Sequence, residues 1–384
     1  MAYRQRRPYR GGRGRGGGGY RGLSSSEYQH QGFVPQPVRT TYDYAIEKGN
    51  FHAKTNAELN FEKKFRKELL DRAANLTPSE DVRKQICDYA GKVIAALEKE
   101  RVEKTLECGV GQIMHVGSFV TETCTHSSDK SDVVVQLSIL PSFETVRELG
   151  DKIVENMRKA DETDTSMSLP QDYGCLIIAQ GVQVRVLVTI QPTDASKLEP
   201  ELHLGSHQLM LNYFAVRHTN WYLEMSKSMP DGFLTEYQAL VKVLKDCRSR
   251  FSDFQSLSVW ALQYLAFYCL ANGPNRNKIS MTAAFRRFFE LIAAGMFLPK
   301  APCLVDPTTQ SHRIGFDLTL PQMDALCTGA QTIVRVFGTG VDGYRAVLGT
   351  HGTAADLAKA TTTWKGIEIS PSEAVFKTDD TSSS

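Results

Sequence analysis

Residues 114–140, MHVGSFVTETCTHSSDKSDVVVQLSIL, decide the fold of this chain. A short extended segment ends at Gly117 and Ser118, eleven residues follow, and a second strand opens at Lys130. A Gly-Ser pair directly after a strand can turn backbone amides and a hydroxyl toward a phosphate group. The stretch therefore predicts two strands joined through an anion-binding turn.

The alternation of side chains along a strand shows which residues share a face with Asp132, the acid of the second strand. Lys130 lies on the same face as Asp132, and Val133 lies on the opposite, apolar face. A later strand over 182–190 alternates in the same way and leaves Arg185 on its polar face. The sequence thus predicts one acid and two cations on one side of a sheet.

This spacing resembles the nucleotidyltransferase pattern, in which hydrophobic-Gly-Ser is followed by about a dozen residues and Asp-x-Asp, with a third carboxylate on a later strand. That chemistry needs all three carboxylates because two magnesium ions bridge the triphosphate and the attacking hydroxyl. Here Lys130 stands in the first position and Arg185 in the third. Asp129 could substitute only through a β-bulge. We therefore expect no catalytic residues, no metal site and no nucleotidyl transfer.

Two interpretations of Asp132 remain open at this point. A cross-strand ion pair with Arg185 or Lys130 would serve structure alone. Alternatively, Lys130 or Arg185 replaces the metals and binds phosphate directly, with Gly117 and Ser118 as the phosphate loop. In that case a nucleoside triphosphate binds without turnover, and no cofactor is required.

Several longer segments resemble the DZF family, whose domain is associated with zinc fingers. They include LEPELHLGSHQLMLNYFAVRHTNWYLE (198–224), VKVLKDCRSRF (241–251) and AFRRFFELIAAGMFLP (284–299), and the likeness extends over roughly residues 36–350. The resemblance implies an oligoadenylate-synthetase-like nucleotidyltransferase fold that has lost catalysis. It also implies a heterodimer with a larger DZF protein that carries double-stranded-RNA-binding domains or zinc fingers. Such complexes are nuclear and nucleolar and act in transcription and RNA metabolism, binding DNA and double-stranded RNA.

The resemblance assigns a role to one further residue. In active relatives a lysine on the helix that matches residues 241–251 approaches the triphosphate, and Lys245 fits this position. Lys242 and Arg248 lie three residues to either side of Lys245 and would form a basic edge with it. A solvated basic stripe is the alternative interpretation.

The first 22 residues differ in composition from the rest of the chain. They hold seven arginines, eight glycines and no acid, so they carry +7 and the rest of the chain carries about −5, which together give the overall charge of +2. Arg-Gly segments bind nucleic acids through phosphate charge and stacking on bases. A solubilising tail or an import signal is the alternative. The predicted nucleic-acid contacts are Arg4, Arg6, Arg7, Arg10, Arg13, Arg15 and Arg21.

The periodicity of the chain predicts an α+β protein. We expect a disordered head over 1–35, a mixed-sheet nucleotidyltransferase-like half over 36–200, an all-helical half over 201–350, and a disordered tail over 351–384. The eight cysteines contain no C-x-x-C pair, which argues against a disulfide framework or a zinc module. No apolar run reaches the length of a membrane span, so we expect a soluble protein without a membrane partner.

The last helices carry more large apolar side chains than one core face usually needs, which predicts a dimer surface within residues 281–349. The candidate interface residues are Arg286, Arg287, Phe288, Phe297, Arg313 and Arg335. Two competing hypotheses remain: an active template-free nucleotidyltransferase, and a simple Arg-Gly RNA binder with a passive body.

Overall fold

The structure is a computed structural model that describes residues 55–179, 181–273, 277–301, 304–309, 312–350 and 356–375. Within these ranges no helix combines the length and the apolar character that a bilayer span requires. The predicted head lies outside the described residues.

Nine α-helices and seven strands make up the described ranges. The helices are α1 (Asn56–Leu76), α2 (Glu80–Glu103), α3 (Phe143–Ala160), α4 (Ser206–Ser228), α5 (Phe233–Arg250), α6 (Val259–Ala271), α7 (Met281–Ala293), α8 (Leu320–Phe337) and α9 (Val341–Leu348). The strands are β1 (Val110–Val116), β2 (Lys130–Leu137), β3 (Met167–Gln171), β4 (Gly174–Ala179), β5 (Val182–Thr189), β6 (Thr362–Trp364) and β7 (Ile367–Ile369). The α+β order predicted from the sequence is confirmed.

Five strands form one mixed sheet in the order β1-β2-β5-β4-β3. The β2 and β5 strands are parallel, and the other neighbours are antiparallel. Val133, Val135, Val184 and Val186 are fully buried and pack with α2 and α3 in one hydrophobic core. The alternation that leaves Asp132 on the other face follows from this burial.

The opposite face of the sheet carries a smaller apolar cluster. Val116, Val134 and Leu187 pack against Ala215 and Val216 of α4. The same helix continues into the helical half, where its last turns join a second core. Helix α4 therefore connects the two halves along the face of the sheet that holds Asp132.

The first described helix, α1, packs on the helical half, although the sequence predicted it in the sheet half. We expected residues 36–200 to form one unit, but α1 buries Phe65, Leu69 and Ala73 in the core of the helical half. Arg66 Nε lies 2.8 Å from Glu236 on α5, and Glu62 O accepts a hydrogen bond from Thr282 on α7. The apolar stripe of a helix shows that one face is buried, but not which layer covers it.

The predicted disordered tail over 351–384 is wrong for residues 362–369, which form two paired strands. Strands β6 and β7 form a hairpin whose Ile369 is buried, and Trp364 packs on the helical core. The turn residues Lys365 and Gly366 both have positive φ, 50° and 85°, as a two-residue type I′ hairpin turn requires. Polar threonines around the hairpin hide this pattern in the sequence.

Candidate functional site

An ion pair between Asp132 and Arg185 occupies the centre of the candidate site. The parallel register places these two residues opposite each other on β2 and β5. Arg185 Nε donates to Asp132 Oδ1 at 2.6 Å, and Arg185 Nη2 donates to Oδ2 at 2.8 Å. Both carboxylate oxygens are therefore engaged by one guanidinium, in the bidentate geometry that makes such pairs strong.

The protonation of Arg185 reflects this partner. Burial opposes the charged guanidinium, but the hydrogen bonds to Asp132 outweigh it and raise the pKa of Arg185. The Asp132 side chain is 16% exposed and that of Arg185 is 41% exposed, so water reaches one edge of the pair. The result is a locally neutral site on the sheet surface rather than a free carboxylate.

Gly117 ends β1 directly beside this pair. Its φ is +81°, and a Cβ atom at this position would lie 2.9 Å from Asp132 Oδ2. Only glycine combines the positive φ with this close approach. The Gly117 amide donates to Thr219 Oγ1 at 3.4 Å, and the Ser118 carbonyl accepts from the Thr123 amide at 2.9 Å. The predicted phosphate loop is thus a turn that folds back on itself and contacts α4.

Lys245 reaches the same turn from α5. Its Nζ donates to the Thr123 carbonyl at 2.9 Å and to Thr123 Oγ1 at 3.3 Å. Burial lowers the pKa of Lys245 to about 8, and the charge of Asp132 acts in the opposite direction. Gln263 on α6 also donates to Thr123 Oγ1, at 3.3 Å. The lysine therefore joins the sheet half to the helical half through protein oxygens.

Lys130 does not join the central pair. Its Nζ lies 3.4 Å from Asp129 Oδ2, and both side chains are more than a third exposed. Lys242, the neighbouring cation of the predicted basic edge, donates to Thr77 Oγ1 at 3.0 Å, and Arg248 donates to the carbonyls of Gln255 and Leu257. The basic edge is therefore hydrogen-bonded to the protein rather than solvated throughout.

The residues at this site do not fit the two magnesium ions that the nucleotidyltransferase pattern described above requires. In the described part of the chain, no group of three or more His, Cys, Asp or Glu side chains could hold a metal ion. A guanidinium already covers both oxygens of Asp132 and would oppose a divalent cation there.

Sequence reasoning found Gly117, Asp132, Arg185 and Lys245 but missed the residues that connect them. Thr123 accepts from Lys245 and Gln263, and Thr219 accepts from the Gly117 amide. These are ordinary threonines within helices and loops, and nothing in their spacing distinguishes them from other polar residues.

Three of the predicted interface residues are wrong because they are buried within the chain. Phe288 and Phe297 are 1% and 2% exposed, and both belong to the helical core. Arg287 is fully buried and donates to the carbonyls of Cys269 and Asn272. Large apolar side chains on more than one face of a helix can be buried by neighbouring helices of the same chain as well as by a partner. Here α6 and α8 bury them.

The other three interface candidates reach solvent while also bonding within the chain. Arg286 Nε lies 2.5 Å from Glu290 and its side chain is 50% exposed. Arg313 donates to the carbonyls of Met296 and Phe297, and Arg335 donates to the Ser370 carbonyl. The arginines of the head, from Arg4 to Arg21, lie outside the described residues.

Comparison with known proteins identifies the family of these features. The family model of the DZF N-terminal domain matches residues 23–227, and the model of the DZF C-terminal domain matches residues 236–370. Together they span both halves of the fold and the β6-β7 hairpin.

Solved structures with a similar fold are nucleotidyltransferases. The Cid1 poly(U) polymerase bound to MgGTP has a TM-score of 0.52 at 12% identity, over 76% of this chain and 99% of that chain. A cytoplasmic RNA terminal U-transferase gives 0.52 at 11% identity, with the same coverage. CdnC of E. coli MS115-1, in a complex with HORMA-deltaN, gives 0.50 at 16% identity, over 74% of this chain and 98% of that chain. At these identities the likeness shows a nucleotidyltransferase-like fold and nothing further.

Proposed function

Because the chain belongs to the DZF family, we propose that it is a catalytically inactive nucleotidyltransferase-like scaffold that heterodimerises with a larger DZF protein. The partner would carry double-stranded-RNA-binding domains or zinc fingers, and the complex would act in transcription and RNA metabolism in the nucleus and nucleolus. The observation that carries the inactive assignment is the bidentate Asp132–Arg185 pair.

The argument for inactivity is electrostatic. A catalytic metal must share Asp132 with two further acids, but Lys130 and Arg185 stand in those two positions. Each cation repels a divalent ion by several kcal/mol at intermediate dielectric. Removing Arg185 from Asp132 would also leave a mostly buried carboxylate without its partner. Both effects support a site that holds no magnesium.

The same contacts support a scaffold that needs no cofactor. Lys245 and Arg185, the cations nearest the turn at Gly117, are already satisfied by Thr123 and Asp132. A nucleoside triphosphate would have to displace these partners, so we expect it to bind weakly and without any requirement for magnesium. Titration of ATP in EDTA and in magnesium tests this: binding that appears only with magnesium contradicts it.

Nucleic-acid contact is proposed for the head. Its seven arginines, without any acid, provide phosphate charge, while the rest of the chain is negative. Specific recognition of double-stranded RNA would come from the partner. Deleting residues 1–22 should therefore weaken RNA and DNA binding by the isolated chain and leave the partner bound. Loss of the partner in this variant would instead favour a simple Arg-Gly binder.

The proposed partner surface lies on the helical half, at residues 304–309 and 312–318. Val305 and Phe316 are 48% and 45% exposed there, and Arg313 braces the loop through the carbonyls of Met296 and Phe297. Exposed apolar side chains close to an arginine are typical of the centre of an interface.

A direct test of the whole proposal uses the full chain purified alone and from nuclear extract. We expect no incorporation of any nucleotide with magnesium or manganese, and co-purification of a DZF protein that contains RNA-binding modules. Incorporation that is abolished by Asp132→Ala would overturn the inactive assignment. Absence of any DZF partner by mass spectrometry would overturn the heterodimer.

A further inference from the structure

The last described segment, residues 356–375, runs across the helical half and is called here the C-terminal strap. Asp356 accepts from the amide and hydroxyl of Ser252 at 2.8 and 2.7 Å. Lys359 Nζ lies 2.6 Å from Asp253 Oδ1. The β6-β7 hairpin follows and buries Ile369 against the helices. The strap is therefore held at its start by an ion pair and in its middle by apolar packing.

Its final contact is a cluster of hydrogen bonds around Arg335 of α8. Arg335 Nη2 donates to the Ser370 carbonyl at 2.7 Å and to Ser372 Oγ at 2.8 Å. The Ser372 amide donates to Thr332 Oγ1 at 2.9 Å. Within the described part of the chain, every acceptor that this exposed guanidinium contacts is a neutral oxygen. A fixed positive charge thus faces a serine hydroxyl, and no carboxylate of the described residues forms an ion pair with it.

We propose that Ser372 is a phosphorylation site whose phosphate is received by Arg335. A protein kinase would supply the phosphoryl group from ATP: the bond from Ser372 Oγ to the γ-phosphorus forms, the bond from that phosphorus to ADP breaks, and the hydroxyl proton is released. The product carries a charge of about −1.5 to −2 at the position where a neutral oxygen now meets the guanidinium. Hydrogen bonds in which both partners are charged would then replace one in which only the guanidinium is charged, and the strap would be held more tightly on α8.

The local chain is suited to modification. Pro371 fixes the backbone before Ser372, and residues 371–374 belong to no helix or strand. Glu373 is exposed and Val375 is 79% exposed, so solvent reaches the chain directly after the serine. Ser370 is the nearest alternative, but it uses its carbonyl on Arg335, and its hydroxyl lies 3.5 Å from Thr361 Oγ1.

The first test locates the phosphate. Trypsin cuts after Lys365 and Lys377 and releases the peptide GIEISPSEAVFK, whose hydroxyl side chains are Ser370 and Ser372 alone. The full chain is isolated from cells with phosphatase inhibitors, and fragment ions assign the modified residue. We expect a phosphorylated fraction on Ser372 that phosphatase removes. An unmodified peptide, or phosphate on Ser370 only, overturns the proposal.

The second test asks whether Arg335 binds the phosphate. Amide hydrogen exchange of the β6-β7 hairpin is compared in the phosphorylated and phosphatase-treated full chain. Because phosphorylation turns the neutral acceptor of Arg335 into an anionic one, we expect exchange to slow by roughly tenfold on phosphorylation. Arg335→Gln should abolish the difference, and Ser370→Ala should leave it intact. Equal exchange with and without phosphate on Ser372 refutes the role of Arg335.

Discussion

Replacing Lys130 and Arg185 together by aspartate should give the chain a higher affinity for divalent cations than the natural sequence has. Lys130 and Asp132 are two residues apart on β2 and face the same side, and Arg185 lies opposite Asp132 on β5. The double variant Lys130→Asp/Arg185→Asp therefore places three carboxylates around one point of the sheet. This is the arrangement that two magnesium ions require in active nucleotidyltransferases.

The expected magnitude follows from the observed pair. A magnesium ion bound to Asp132 in the natural chain would lie roughly 4 Å from the Arg185 guanidinium, where Coulomb repulsion amounts to about 8 kcal/mol at an effective dielectric of 20. Arg185 is 41% exposed, so solvent screening reduces this toward about 2 kcal/mol at the dielectric of water. Even the lower value weakens binding by more than tenfold. In the variant, a millimolar site at about 10 mM magnesium would stabilise the fold by roughly 1.4 kcal/mol.

The assay is thermal unfolding in magnesium or manganese chloride against EDTA at matched ionic strength. The matched control, Lys130→Asn/Arg185→Gln, removes both cations without adding acids and should show a much smaller metal response. Adding Asp132→Asn to the acidic variant should reduce the response again. If the natural chain is stabilised by magnesium as much as the acidic variant, the electrostatic argument for inactivity fails. If the acidic variant folds but neither metal changes its melting temperature, the three carboxylates at positions 130, 132 and 185 do not converge on one metal site.

Three further predictions concern the helical half and its contact with the sheet. Between pH 8 and 10.5 folded Lys245 loses its proton while the unfolded chain keeps it, so the free energy of unfolding of the natural chain should rise by at most about 1.4 kcal/mol per pH unit. Lys245→Met should remove this rise, and urea unfolding of both proteins across this pH range measures it. Arg287→Met should cost about 2 to 6 kcal/mol because it leaves two buried carbonyl acceptors without a donor, at about 1 to 3 kcal/mol each. Arg286→Ala, which removes a half-exposed ion pair, should cost under about 1 kcal/mol in the same unfolding assay. Phe316→Glu should abolish co-purification of the DZF partner with little change in melting temperature. Met167→Glu on β3, where the side chain is 58% exposed against 45% for Phe316, should retain the partner; the opposite pattern would move the partner surface to the sheet edge.

The central pair was predictable because strand geometry is a local rule. Alternating valines on β2 and β5 determine which side of each strand is buried, and the spacing then brings Asp132 and Arg185 to the same face. The exact partner was not predictable, since Lys130 shares that face and choice between the cations depends on the register of β2 against β5. That register is a tertiary property.

Burial was harder to predict in the helical half. Helix α6 is apolar on almost all of its surface, and α7 buries Arg287 as well as its apolar side chains, so periodicity could not separate a core side chain from an interface side chain. Arg287 illustrates the difficulty, because a fully buried arginine is unusual. Its charge depends on carbonyl oxygens at the end of α6 that accept its hydrogen bonds. Neither its acceptors nor the ring of Tyr268 beneath it are near it in sequence.

The docking of α1 also has a consequence for synthesis on the ribosome. Phe65 and Leu69 emerge early, but the ion pair from Arg66 to α5 spans 170 residues of chain. At about 5 to 20 residues per second, the apolar stripe of α1 stays uncovered for roughly 9 to 34 s while its cover is still being translated. The sheet can close before this happens, because β1 to β5 are contiguous in the chain. The first described helix is therefore among the last to be packed, and nascent-chain chaperones have that interval in which to bind it.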